Sequence, residues 1–253
     1  MKQNNHNMRN TILFAFALLT IGVMTGCRKQ MQVRSFELSH YDIDAATDSI
    51  ADQSYEQALA PYKTALQEKL NVVLGYAEAE MIVRRPECSM VNWTADALLV
   101  KARQYCPEHV DMALVNIGGV RCNWPKGDIT RRNVFELMPF DNKLVVLTLS
   151  GQDILELCQV MAEVGGEGVA GLRMSAEDKQ LITATIDGNA IMPEKFYTVA
   201  TSDYLSGGKD KLTPLTNSVA RWDSHRLIRD LYMEYITEHP QVVAAVDGRM
   251  DVR

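Results

Sequence analysis

The chain has 253 residues, 47% of them hydrophobic and 23% charged, which suits one generous globular domain and excludes a disordered protein. Its formal net charge of −6 excludes the broad basic footprint of a nucleic-acid binder. An acidic protein that takes an anionic ligand has to do so with a few locally placed cations.

Residues 1–26 read as an export signal. Lys2 and Arg9 make a basic start, and 11–25 is an almost wholly apolar run, too short for a comfortable membrane span. It ends Met24-Thr25-Gly26-Cys27, which is similar to a bacterial lipobox. Cys27 is therefore expected to carry lipid and to hold the domain at a membrane without spanning it. A plain secretory signal cut nearby is the simpler alternative. Arg28 and Lys29 follow, which by resemblance to lipoprotein sorting signals favours the outer membrane, facing the periplasm.

After a tether over 27–50, with a strand expected at 31–38, the domain is expected over 51–253. Leu59, Tyr62, Leu66 and Leu70 have the spacing of an amphipathic helix over 54–69, with Pro61 as a kink or restart. A second helix is predicted over 92–105, with Pro107 just past its end. Then 112–115 is a short apolar strand running into a glycine pair, 144–149 is β-rich, and Gly151-Gln152-Asp153 opens a helix to 164. Strands follow at 171–175, at 181–186 (closed by an Asp187-Gly188 turn) and at 196–201. A long helix over 223–239 ends before Pro240. Mixed order without strict alternation predicts one α/β-type domain. Of the five cysteines, Cys106 and Cys158 sit in apolar helical patterns and are expected to be buried thiols. Cys88 and Cys122 complete a set of four for which export permits disulfides, and no bridge is favoured.

Three segments carry candidate chemistry. In Asn116-Ile117-Gly118-Gly119-Val120-Arg121 the glycines free the backbone to turn, and Arg121 offers a forked cation to a phosphate or a base. Taken singly, this is equally a tight turn with a surface arginine. In Pro139-Phe140-Asp141-Asn142 a turn aromatic sits beside an amide that can both donate and accept toward a nucleobase. A hydrophobic plug at a loop base is the alternative. In Tyr204-Leu205-Ser206-Gly207-Gly208-Lys209-Asp210 an aromatic and a carboxylate flank a flexible turn.

Together these segments resemble the C-terminal, substrate-recognition domain of the 5′-nucleotidase / UDP-sugar hydrolase family: an N-x-G-G-[IV]-R turn, then P-F-x-N, then Y-T-V-A-T-x-D-Y-L…G-G-x-D. Arg84-Arg85-Pro86-Glu87-Cys88, followed by Asn92 and Asp96, resembles the family's upstream arginine segment, so the likeness runs from about 54 to 239. The resemblance implies an α+β fold, a single four-layer α/β/β/α domain. It implies that Phe140 and Tyr204 sandwich a base, that Asn142 contacts that base, and that Asp210 binds ribose. Arg121 and one of Arg84 or Arg85 would face the phosphate and sugar, and Asn116 would shape the glycine turn. Three positions depart from the family. Ile117 stands where glycine is frequent, Tyr204 replaces a phenylalanine, and Lys209 sits between the glycines and Asp210.

The family's hydrolytic domain holds two metals through D-x-H, G-N-H-[DE] and H-x-H motifs. None of the five histidines sits in such a motif: His6 falls in the signal, and His40, His109, His225 and His239 are isolated. His40-Tyr41-Asp42 reads as a solvated segment. The expectation is therefore a nucleotide- or nucleoside-recognition half with no catalytic residue, metal or cofactor of its own, not self-sufficient as a hydrolase. Two divalent metals would belong to a separately encoded metallophosphatase, its partner in nucleotide catabolism. The alternatives are a non-catalytic binding lipoprotein for uptake or sensing, and a relic whose pocket has lost its use. The retention together of Arg121, Phe140, Asn142, Tyr204 and Asp210 counts against the relic.

Overall fold

Alternation along three strands decides how the chain is layered. The computed structural model describes residues 38–39, 53–243 and 245–253, of which Glu56–Arg253 form one compact unit. In β4 (Lys143–Ser150), Leu144 and Val146 enter one core while Val145, Leu147 and Leu149 enter another. β2 (Met112–Val115) and β9 (Phe196–Ser202) divide their apolar residues in the same way. Side chains of a strand point alternately to its two faces, so a sheet apolar at every position must be covered on both.

One face is covered by α2 (Ser89–Tyr105) and α6 (Ile228–Glu238). Trp93 of α2 packs there against Trp124 and Tyr232, with ring centroids 5.2 and 5.5 Å away. The other face takes α4 (Gly151–Val164), whose Ile154, Leu157, Cys158 and Met161 make an apolar stripe at helical spacing. A capping box from Ser150 and Asp153 starts α4, and Gly165 at φ 84° ends it. α4 also packs on β6 (Leu172–Glu177) and β7 (Gln180–Ile186), so helix and sheet alternate through the domain and the fold is α+β.

The central sheet has the order β10-β4-β9-β2-β5, with β10 (Ala220–Leu227) and β5 (Gly168–Ala170) at its edges. A second sheet, β12-β6-β7-β8, adds β8 (Asn189–Ala190) and β12 (Met250–Val252). The third, β11-β1-β3, joins β1 (Val73–Ala77), β3 (Gly127–Thr130) and β11 (Gln241–Val242). α3 (Arg131–Leu137) leads from β3 toward β4. β7 and β8 are joined through Asp187 and Gly188, both at positive φ, as the turn signal predicts.

Three expectations change. The helix expected over 223–239 begins only at Ile228, because 220–227 pair antiparallel with β4, Trp222 opposite Val146. The open hydrogen-bonding edge of β4 outweighs the local helical period there. The strand expected at 171–175 begins at Leu172 and runs on to Glu177 as β6, while Gly171, where φ is 77°, parts it from β5, a strand of another sheet that the sequence pattern did not predict. The helix over 54–69 forms as α1 (Gln53–Leu70) and runs through Pro61, yet buries nothing: Tyr62 is 74% and Leu66 57% exposed. Cys88, Cys106, Cys122 and Cys158 are free, with Cys106 and Cys158 buried. Cys27 and the signal lie outside the described residues, as does the strand at 31–38 apart from Leu38.

Candidate functional site

Strand direction gathers the three candidate segments at one end of the central strands. β2 and β9 are parallel neighbours, Met112 opposite Val199, so both deliver the chain to the same side. β2 runs into Asn116 and a tight turn over Ile117–Gly119, and β9 runs into the short helix α5 (Asp203–Ser206), which carries Tyr204. β4 is antiparallel to β9, Leu144 opposite Ser202, so the 138–142 turn that precedes it arrives at that same end. Ligands of α/β sheets commonly sit outside the carboxyl ends of parallel strands for this topological reason.

The result is a cleft of about 370 Å³ lined by Asn116, Gly118, Gly119, Arg121, Phe140, Asn142, Tyr204 and Asp210. Phe140 and Tyr204 are 38% and 44% exposed, and neither stacks on another aromatic ring among the described residues. A flat ligand therefore has no ring pair to displace. The Arg121 guanidinium lies 5.8 Å from the Phe140 ring centroid and donates to the Gly118 carbonyl at 3.0 Å; among the described residues its other donors have no partner. The Asn142 side-chain amide has no protein partner among the described residues; its backbone carbonyl accepts from Ile228 N–H at 2.9 Å.

Asp210 is held by two cleft neighbours. The Tyr204 hydroxyl donates to its Oδ1 at 3.1 Å, and the Asn116 amide donates to its Oδ2. Accepting the phenolic hydrogen bond, and adding a nearby negative charge, Asp210 raises the Tyr204 pKa. The loop reaches this geometry with Gly208 at φ 73° and Asp210 itself at φ 55°. Aspartate is among the few side chains that tolerate this left-handed region, so Lys209 is accommodated without moving the carboxylate out of the cleft. Of the two earlier glycines, Gly119 is the one that space demands: a Cβ there would sit 2.7 Å from Asn116 Oδ1.

The upstream arginines lie elsewhere. Neither Arg84 nor Arg85 lines the cleft; Arg84 is exposed and without a partner among the described residues. Arg85 turns inward, donating to the Gly166 carbonyl and to Glu167 Oε1 at 2.8 Å. Glu167, 4% exposed, accepts the Ile117 N–H at 2.5 Å through its other oxygen. The arginine segment thus supports the Asn116–Gly119 turn from behind through Glu167. Burial pushes the Glu167 carboxyl above its ordinary value and the Asp210 charge adds to this, while the Ile117 N–H and Arg85 pull it back.

Two contributors are not evident from the sequence patterns. Glu167 sits in a Gly165-Gly166-Glu167-Gly168 run, where an acid between glycines is the sole local hint. Asp203 accepts from Lys143 N–H at 3.0 Å and from Tyr204 N–H at 2.9 Å on one oxygen, joining the Phe140 side of the cleft to the Tyr204 side. Its place before Tyr204 in the motif gives no sign of that second contact.

Comparison with known proteins points the same way. The family described as the 5′-nucleotidase C-terminal domain matches residues 73–217. The chain is 27% identical over 242 residues to the trifunctional nucleotide phosphoesterase protein YfkN of Bacillus subtilis, covering 87% of this chain and 16% of that protein. It is 26% identical over 177 residues to UshA of Escherichia coli, covering 68% and 32%. Among solved structures, a 5′-nucleotidase precursor from Thermus thermophilus superposes with a TM-score of 0.71 at 26% identity, over 81% of this chain and 44% of that one. The chain thus spans a third or less of these two curated relatives.

Proposed function

The chain belongs to the 5′-nucleotidase C-terminal domain family, and on that premise we propose that it is the nucleotide- or nucleoside-recognising half of a 5′-nucleotidase-like phosphohydrolase. The carrying observation is the convergence in one cleft of two aromatic rings that stack on no other ring, and an amide without a protein partner, among the described residues, with a carboxylate and a forked cation. Phe140 and Tyr204 stack the base, Asn142 meets its edge, Asp210 accepts from ribose hydroxyls, and Arg121 faces the phosphate. The family's dimetal motifs are not among these 253 residues, and on this reading hydrolysis belongs to a metallophosphatase carrying two divalent ions, which we propose is separately encoded. Residues 1–27 are proposed to export the chain and anchor it by lipid at the outer membrane, facing the periplasm.

Base stacking is worth roughly 1–3 kcal/mol per base, so Phe140→Ala weakens AMP binding by about fivefold to about 150-fold. Calorimetric titration of the protein with AMP and with adenosine measures this directly. Absence of AMP binding by the folded wild type, or equal affinity in Phe140→Ala, defeats the reading. Adenosine bound as tightly as AMP, with no gain in turnover on adding a metallophosphatase, would favour a binding lipoprotein for uptake or sensing.

A further inference from the structure

We infer that Arg229, in the first turn of α6, is the positioning residue of the base clamp: it fixes the Phe140 ring through the backbone of the 138–142 turn and touches no ligand. This inference rests on the reading of Phe140 and Tyr204 as a base clamp. Arg229 is 8% exposed and does not line the cleft. Its Nη1 donates to the Met138 carbonyl at 3.3 Å and to the Phe140 carbonyl at 3.2 Å. Its Nη2 donates to Asp141 Oδ1 at 2.8 Å. The guanidinium lies over the Phe135 ring, 4.3 Å from its centroid.

All of these acceptors belong to one turn, and the neighbouring Ile228 N–H holds the carbonyl of Asn142. Residues 138, 140, 141 and 142 are therefore all tied to α6, and Pro139 between them has its φ fixed by its ring. The turn has few ways left to move, so the orientation of the Phe140 ring follows from the position of Arg229. Burying a guanidinium is costly, and Arg229 Nε is buried without a partner among the described residues. A cation so placed is a poor general stabiliser but a good geometric one, because a planar fork meets several acceptors in fixed directions. A lysine has one compact donor head and no plane to lie on Phe135. It cannot hold two carbonyls and a carboxylate in the same geometry.

The test compares AMP with ribose 5-phosphate, which has no base, by calorimetry. Arg229→Lys is expected to weaken AMP about tenfold and to leave ribose 5-phosphate within about twofold. In a Phe140→Ala background it is expected to cost AMP nothing further, since the ring it positions is gone. Equal weakening of both ligands, full additivity with Phe140→Ala, or unchanged AMP affinity would each overturn the inference. Asp141→Asn provides a milder variant if Arg229→Lys does not fold, because Asp141 is 81% exposed; it should weaken AMP selectively, by a smaller factor. Should the wild type not bind AMP, the clamp reading fails on its own. Amide hydrogen exchange then decides the positioning claim: faster exchange in Arg229→Lys confined to 140–142 supports it, and exchange there unchanged, or faster throughout the protein, overturns it.

Discussion

The two walls of the cleft are held in opposite ways. The Phe140 wall is backed by a buried cation and a backbone bond from α6, with Arg229 only 8% exposed. In the Tyr204 wall, α5 is anchored by buried Leu205 and its cap from Ser202, but the ring itself is tied at the surface, where Tyr204 and Asp210 meet at 3.1 Å in a loop with left-handed residues at 208 and 210. Bonds screened from water hold geometry well and are costly to break, whereas exposed ones exchange with solvent and are worth little. The difference assigns a fixed platform to one side of the ligand and an adjustable one to the other. Asp203, bonded to both sides, is the hinge of that comparison.

The largest effect is expected where the buried support of the cleft floor is removed. Glu167→Ala leaves the Ile117 N–H buried without an acceptor, and unfolding stability should fall by about 1–3 kcal/mol in urea titration. A change within a few tenths would show that the floor does not need its backing. Asp203→Ala takes the acceptor from both walls, and AMP affinity should fall about five- to tenfold. If it left AMP unchanged, the walls would be independent and the hinge would be lost from the comparison. Tyr204→Phe removes one exposed hydrogen bond, so AMP affinity should change about threefold or less. A larger loss would make the Tyr204 wall as rigidly specified as its opposite.

The smallest effect is on pH dependence. Because burial raises the folded-state pKa of Glu167, the folded protein holds that proton more tightly than the unfolded chain does. The Glu167 contribution to stability therefore declines as pH rises from its ordinary value, 4.5, through its raised folded one, and levels beyond it. Stability of the wild type minus that of Glu167→Gln, followed by chemical unfolding, should slope downward over this window. An upward slope would mean that Arg85 and the Ile117 N–H outweigh burial.

Much of the site was legible because its parts are local. Gly118-Gly119-Val120-Arg121, Phe140 with Asn142, and Tyr204 through Asp210 are each read within a few residues, and all three segments line the cleft. Arg84 does not reach the cleft, and Arg85 acts through Glu167, 82 residues further on. Arg229 had no signature, since it falls inside the helix expected over 223–239 and no local pattern there sets it apart. Its meaning comes from partners 88 to 91 residues earlier in the chain.

The same boundary runs through the fold. Local chemistry by itself determined the start of α4 at Ser150 and Asp153, the Asp187-Gly188 turn, and the two-faced alternation of β4. Each of these depends on residues that are neighbours in the chain. Only the tertiary structure decided that 220–227 form a strand, that 168–170 form a strand of a different sheet from the one after Gly171, and that α6 supports the Phe140 turn. Those outcomes depend on which hydrogen-bonding edges and buried acceptors other parts of the chain present, and no local pattern carries that information.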